Sequence, residues 1–198
     1  MTANLGIYDG TQRTAATDAV GDQPRIQPAG GTTYLPRHAG STVTLSQTII
    51  GVQGFTLLAP AAIDRVIFEV TTGAAGTAIV ALFDSTPTAS PNSLIWNGEA
   101  DTTASGTKTL LCDIPLRPAT YWWGVMGGTA TAVVRGDASN SSSPNSAGPR
   151  RADGVGDNLS RTGAYRATMP SGALRPYPAW TIEVFNGGVA NVAFRFAR

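Results

Sequence analysis

From Thr33 onward the sequence is a succession of short runs with strand-like alternation, each closed by Gly, Pro, Asn or Ser. A chain punctuated this way forms sheets and turns, not long helices. The runs are "TTYLPRHA", "STVTLSQTI", "RVIFEVTT", "TAIVALFDS", "SLIWNGEADTT", "GTKTLLCDIPL", "ATYWWGVMG", "ATAVVRGD", "AWTIEVFN" and "NVAFRFAR". No helical periodicity competes with them, and no longer repeat is visible. The 23 glycines and 13 prolines supply the turns such a chain needs. The expected fold is all-β, a jelly-roll β-sandwich over residues 34–198. Residues 1–33 read differently: small, polar and broken by Pro and Gly, too poor in apolar groups to form a core. They form either a disordered tail or an extended N-terminal arm that orders on a partner. Candidate docking residues in the arm are Tyr8, Arg13, Arg25 and Ile26.

The alternation assigns faces. In "RVIFEVT", Val66, Phe68 and Val70 share the core face, and Ile67 and Glu69 the other. In "TAIVALFDS" both faces are apolar, so that strand is covered on both sides. In "TYWWGVM", Trp122 and Trp123 must point in opposite directions. Tyr121, Trp123 and Val125 make the better core face. Trp122, which shares its face with Thr120, Gly124 and Met126, is therefore expected to point outward.

Composition removes several function classes. Fourteen basic and thirteen acidic residues give a formal charge of +1, no footprint for nucleic acid. The longest apolar stretch, around "FTLLAPAAI", is too short and too Pro-broken to cross a bilayer, so no membrane insertion is expected. The N-terminus has no secretory signal pattern. The single cysteine, Cys112, reads as a small buried hydrophobe and not a nucleophile. The single histidine, His38, has no nucleophile-elbow motif beside it. One His and one Cys cannot supply a zinc shell, and no EF-hand spacing points to calcium. No phosphate loop is present. A pair of carboxylates placed for glycoside hydrolysis cannot be read from spacing alone. These readings give a non-enzyme without cofactor or metal.

The aromatics are the better lead. Exposed rings that stack on sugars, helped by polar neighbours, make Trp122, Trp96, Tyr165 and Arg166 candidate glycan-binding residues. The competing reading is that each ring is core or interface packing. The stretch from Gly136 to Ala164, with Arg150, Arg151, Arg161, Asp153 and Asp157, is long for a loop. It is either a surface segment or a partner-contacting one.

The string "IDRVIFEVTTGAAGTAIVALFD", followed by "TASPNSLIWNGEADTTASGTKTLLCDIPLRPATYWWGVM", resembles a recurrent module of tailed-bacteriophage particle proteins. The module's pattern runs "F-D-R-I-x-x-x-V-T-x-A-G-x-A-G-S-x-x-R-L-G-I-Y" and later "L-x-P-G-x-Y-W-L-A". "GAYRATMPSGALRPYPAWTIEVFNGGVANVAFRF" is similar to its closing segment, so the resemblance runs from about Tyr34 to the C-terminus. Here "YWLA" is "YWWG", which puts Trp123 where the module has a leucine. The resemblance implies a jelly-roll sandwich and a virion component: a tail or head fibre, a spike, a minor tail protein or a capsid decoration. It would be assembled in the host cytoplasm and held to other virion proteins through the arm. A homo-oligomer is expected, a trimer being one candidate. The alternative is a carbohydrate-binding adhesion module that recognises host surface polysaccharide.

Overall fold

The computed structural model describes residues 25–34, 41–87, 90–137, 164–182 and 189–198. Among these residues every regular element is a strand: β1 (Arg25–Ile26), β2 (Thr33–Tyr34), β3 (Ser41–Thr44), β4 (Ile49–Leu57), β5 (Ala61–Thr72), β6 (Thr77–Ser85), β7 (Pro91–Asp101), β8 (Gly106–Leu116), β9 (Thr120–Gly127), β10 (Val133–Asp137), β11 (Ala164–Thr168), β12 (Trp180–Ile182), β13 (Val189–Ala190) and β14 (Ala193–Phe196).

The pairing is nested. β4 pairs with β9, β5 with β8 and β6 with β7, all antiparallel. The chain from Ile49 to Gly127 is thus one long hairpin whose tip lies between β6 and β7. It is wound so that its strands fall into two stacked sheets, as a jelly roll is. The first sheet runs β12-β11-β4-β9-β6-β7, with β1 added in parallel to the end of β4. The second holds β5 at its centre. β8 lies on one side of β5, and β14 and then β10 lie on the other. The fold is the expected sandwich.

The inner core lies between the sheets. Val66, Phe68 and Val70 face it from β5, as their spacing requires. Ala78, Val80 and Leu82 from β6 and Tyr121, Trp123 and Val125 from β9 meet them from the other sheet. Phe194 fills the middle, with its ring 4.7 Å from Phe55 and 5.7 Å from Trp123, centroid to centroid. The buried Gln53 amide crosses this core and donates from Nε2 to the Ala190 carbonyl at 3.2 Å, a direct polar tie between the sheets. A buried amide left unpaired would be costly, so this bond also fixes how the sheets sit on each other.

Turns are fastened by side chains. The Tyr121 hydroxyl, at the start of β9, donates to the Arg117 carbonyl and accepts from the Arg117 amide. That is the geometry of a tyrosine corner. The buried Thr102 hydroxyl sits between the Ala74 and Gly76 carbonyls, so the "GAAG" crossover between sheets is held to the end of β7.

Two elements differ from the sequence reading. β4, central to the first sheet, lies in a stretch that alternation does not mark. Gly51, Gln53 and Gly54 interrupt its apolar pattern, and it is covered on both faces. Residues 25–33, assigned to the arm, are part of the sandwich. Arg25 and Ile26 pair with Thr56 and Leu57, and Tyr34 accepts from the Ala29 amide and donates to the Gln27 carbonyl. Ile26 is 2% exposed and belongs to the inner core, so its side chain is not open to a docking partner. Tyr8 and Arg13 lie outside the described residues, as does the side chain of Arg25.

Ile26→Ala is expected to lower the unfolding free energy by about 2–5 kcal/mol, the range for truncating a buried aliphatic. A urea titration of the full chain measures it, and an unchanged midpoint would place residue 26 in an independent arm.

Candidate functional site

The tryptophan pair of β9 is where the sequence placed both core and function. Cross-strand register puts Trp96, Leu82, Trp123 and Gln53 in one row across β7, β6, β9 and β4. Side chains in a row share a face, and this row faces the inner core. The Trp123 ring stacks on Phe55 and Phe194 and meets Trp96 edge to face at 6.1 Å. Its Nε1 is buried without a hydrogen-bond partner among the described residues. A leucine, as in the phage module, would carry no such group.

The next row, Phe83, Trp122 and Gly54, faces the other way. Trp122, expected on the outward face, is fully buried there. It packs with Ile50, Val52, Ile79, Ala81, Phe83, Met126, Ala167 and Met169 in a second apolar cluster on the outer side of the first sheet. Its indole N–H donates to Ser85 Oγ at 3.2 Å. A ring with no exposed face offers nothing for a sugar to stack on, so the glycan-platform expectation for Trp122 is corrected.

What covers it is the segment from Met169 to Trp180. The Met169 amide donates to the Thr48 carbonyl at one end, and the Leu94 amide on β7 donates to the Pro176 carbonyl at the other. Leu174 and Trp180 point down into the cluster. The Trp180 ring stands edge-on to Phe83 at 4.8 Å, and its N–H reaches the Asn92 carbonyl. Gly172 lets this strap lie close. Its φ is +65°, and a Cβ there would come within 2.4 Å of the Gly128 carbonyl oxygen. The strap and its apolar residues are what face assignment from β9 alone misses. The doubly apolar β6 is the signal that points to them, because Ile79, Ala81 and Phe83 make a second apolar face that something must cover.

The four glycan candidates do not converge. Trp96 is half-buried on the inner face, opposite to Trp122. Its ring lies against Gly98, where a Cβ would meet it at 2.9 Å. Tyr165 and Arg166 lie on β11, in register with Val52 and Gly51. Three strands separate β11 from β7, about 19 Å along the sheet at roughly 4.8 Å per strand. The segment 138–163 and His38 lie outside the described residues.

Among the described residues the second sheet is covered on one face only. Its outer side carries ion pairs between neighbouring strands: Arg195 with Asp64 at 2.8 and 2.5 Å, and Arg135 with Glu69 at 3.3 Å. The Arg195 guanidinium holds the Asp64 carboxyl below its ordinary value. Burial pushes the Cys112 thiol up to about 11, helped by the nearby Asp64 and Asp113 charges, and its Sγ lies 3.4 Å from the Ile63 carbonyl. A neutral thiol is a poor nucleophile. Among the described residues no group of three or more His, Cys, Asp or Glu side chains could hold a metal ion. No helix among them is long and apolar enough to cross a membrane.

No family model and no curated protein matches the chain. Among solved structures it is similar to the T13 viral particle of infectious bursal disease virus (TM-score 0.22, 11% identity, covering 96% of this chain and 46% of that one). It is also similar to the VP2 subviral particle of the same virus (TM-score 0.21, 11% identity, 96% and 44%) and to the Gt strain structure (TM-score 0.20, 14% identity, 98% and 46%). The chain spans less than half the length of these chains, and likeness of this size carries no argument about what it does.

Trp122→Ala and Trp123→Ala are each expected to cost about 3–5 kcal/mol of stability, since both remove a buried aromatic. Chemical denaturation measures both, and a near-neutral Trp122→Ala would mean that the strap does not seal the outer cluster. For Cys112, a raised pKa means thiolate accumulates only as pH approaches about 11. Maleimide labelling at pH 8 is therefore expected to be slower in the folded chain than in urea by on the order of a hundredfold. Equal rates would show an accessible, unperturbed thiol.

Proposed function

We propose that this chain is a non-enzymatic structural component of a phage or phage-like particle, with a jelly-roll sandwich displayed by the residues that precede it. The jelly roll alone does not choose between roles, because capsid and lectin domains both use it. The resemblance of residues 34–198 to the phage-particle module supplies the particle. Its first motif supplies β5, the crossover and β6, and its "YWLA" position supplies β9.

The observation that carries the structural reading over the adhesion reading is the fate of Trp122. The residue best suited to a sugar platform is fully buried beneath the strap, and Trp96 leans into the inner core. The aromatic rings hold the layers together.

The docking role falls on residues 1–24, because residues 25–33 are built into the sandwich. Particles purified on a density gradient from producing cells are expected to contain the chain. A chain lacking residues 1–24 is expected to keep its near-UV circular dichroism and to be missing from those particles. Absence of the full chain from particles overturns the structural role. Normal incorporation of the truncated chain overturns anchoring by residues 1–24 alone.

A further inference from the structure

The strap is an exposed, irregular segment, and a cut in it would open the outer cluster over Trp122. Segments of this kind are where proteases nick a folded protein. Most of residues 170–179 are exposed, Tyr177 to 77%. Two of them are types that common serine proteases cut after, the cationic Arg175 and the aromatic Tyr177. Each is followed at once by proline, in the run "LRPYP". The turn from β8 to β9 repeats the arrangement, with exposed Arg117 followed by Pro118. Elsewhere among the described residues, lysine and arginine stand only in strands, apart from Arg198, with which the sequence ends. The described aromatic residues other than Tyr177 all stand in strands as well.

We infer that the sandwich is built to survive serine proteases that cut after cationic or aromatic residues, its strands shielding those in the sheets and a following proline shielding the three in turns. A protease draws its substrate into the cleft as an extended chain, and a strand residue is not available until its sheet opens. Arg117, Arg175 and Tyr177 have no such protection. At an exposed site the protease serine attacks the carbonyl carbon, and its histidine then delivers a proton to the leaving nitrogen. Before a proline that nitrogen is tertiary, and the pyrrolidine ring fills the space the leaving group needs. The C–N bond therefore stays whole. Proline makes up 13 of the 198 residues, so composition does not supply one after each of three such residues. Turn formation explains prolines in these segments, but not their place directly after each cleavable side chain. At the corner the shield is doubled, because the Arg117 carbonyl also accepts from the Tyr121 hydroxyl. A chain arranged this way keeps its strap, and the cluster beneath it, among secreted proteases. The inference stands apart from the particle reading.

Trypsin digestion of the native full chain, with the fragments identified by mass spectrometry, tests this. The wild type is expected to stay whole after Arg117, after Arg175 and after the cationic residues of the strands. Ala173→Arg puts a cation before Leu174 in the strap and keeps every native proline. It is expected to be cut after position 173 at least about tenfold faster than the wild-type strap is cut anywhere. Ala173 is exposed, so this variant should keep its near-UV circular dichroism. Pro176→Ala keeps the carbonyl that the Leu94 amide bonds and is expected to gain a cut after Arg175. Pro118→Ala is expected to gain one after Arg117. A folded wild type cut after Arg117, after Arg175 or within a strand overturns the inference. So do folded variants that stay whole at the new sites, because the shape of the turns and not proline would then be the shield.

Discussion

β9 sends two tryptophan rings out of one strand in opposite directions, and each ring anchors a different layer. Trp123 joins Phe55, Phe194 and Trp96 in the space between the sheets. Trp122 joins Phe83, Met126 and the strap residues on the far side. The strand between them therefore has no wet face. Its neighbours β4 and β6 are covered on both faces as well, with Ile50, Val52, Ile79, Ala81 and Phe83 in the outer cluster, whereas the outer side of β7 carries the exposed Asn97, Glu99 and Asp101. Three layers result: the second sheet, the first sheet and the strap. The central layer is held by dispersion and burial on both sides.

This arrangement explains why long-range pairing can be tolerated. Nested pairs such as β4 with β9 close loops of many residues, and closure entropy must be met before any contact repays it. The compensation sits in the rows that pairing completes. When β9 docks between β4 and β6 it brings both tryptophans into place at once. Polar ties then remove alternatives: Gln53 to Ala190 across the core, Tyr121 to Arg117 at the corner, Thr102 to the crossover. Each satisfies groups that another register would leave unpaired.

Much of this was legible locally. Alternation in β5 and the double apolarity of β6 follow from period-2 geometry, and both read correctly. Trp122 was not legible from its own strand, because Thr120 and Gly124 make its face look polar in sequence while a glycine in the interior simply makes room. A Cβ on Gly124 would come within 2.8 Å of Ile50, Val52 and the Gly51 carbonyl. β4 was hidden for the same reason, since Gly51 and Gly54 dilute its pattern. The strap was hidden because its apolar residues, Met169, Leu174 and Trp180, have neither strand nor helix spacing. They act as separate anchors on an irregular path held at one end by the Thr48 carbonyl and at the other by the Leu94 amide. Ile26 was hidden because a single isoleucine in a polar segment carries no periodic signal. Pairing partners are a global property that local spacing does not encode.

The same physics decides where such a module can meet other molecules. Burying aromatic rings on both faces of the first sheet stabilises it and also removes those rings from recognition. The outer face of the second sheet is occupied by ion pairs that neighbouring strands make with each other, Arg195 with Asp64 and Arg135 with Glu69. Exposed pairs of this kind contribute little to stability, but they use up charged groups that a ligand would need. Among the described residues, the rim of the sandwich offers strand edges such as that of β8. A strand edge recognises another strand by hydrogen-bond spacing and not by side-chain chemistry, so its selectivity must come from the few side chains that interrupt it. On β8 the side chain that does so most prominently is Leu111. A polar residue there would leave the edge as merely a solvated strand, whereas an exposed leucine at its midpoint favours whatever brings a matching apolar surface to the same place.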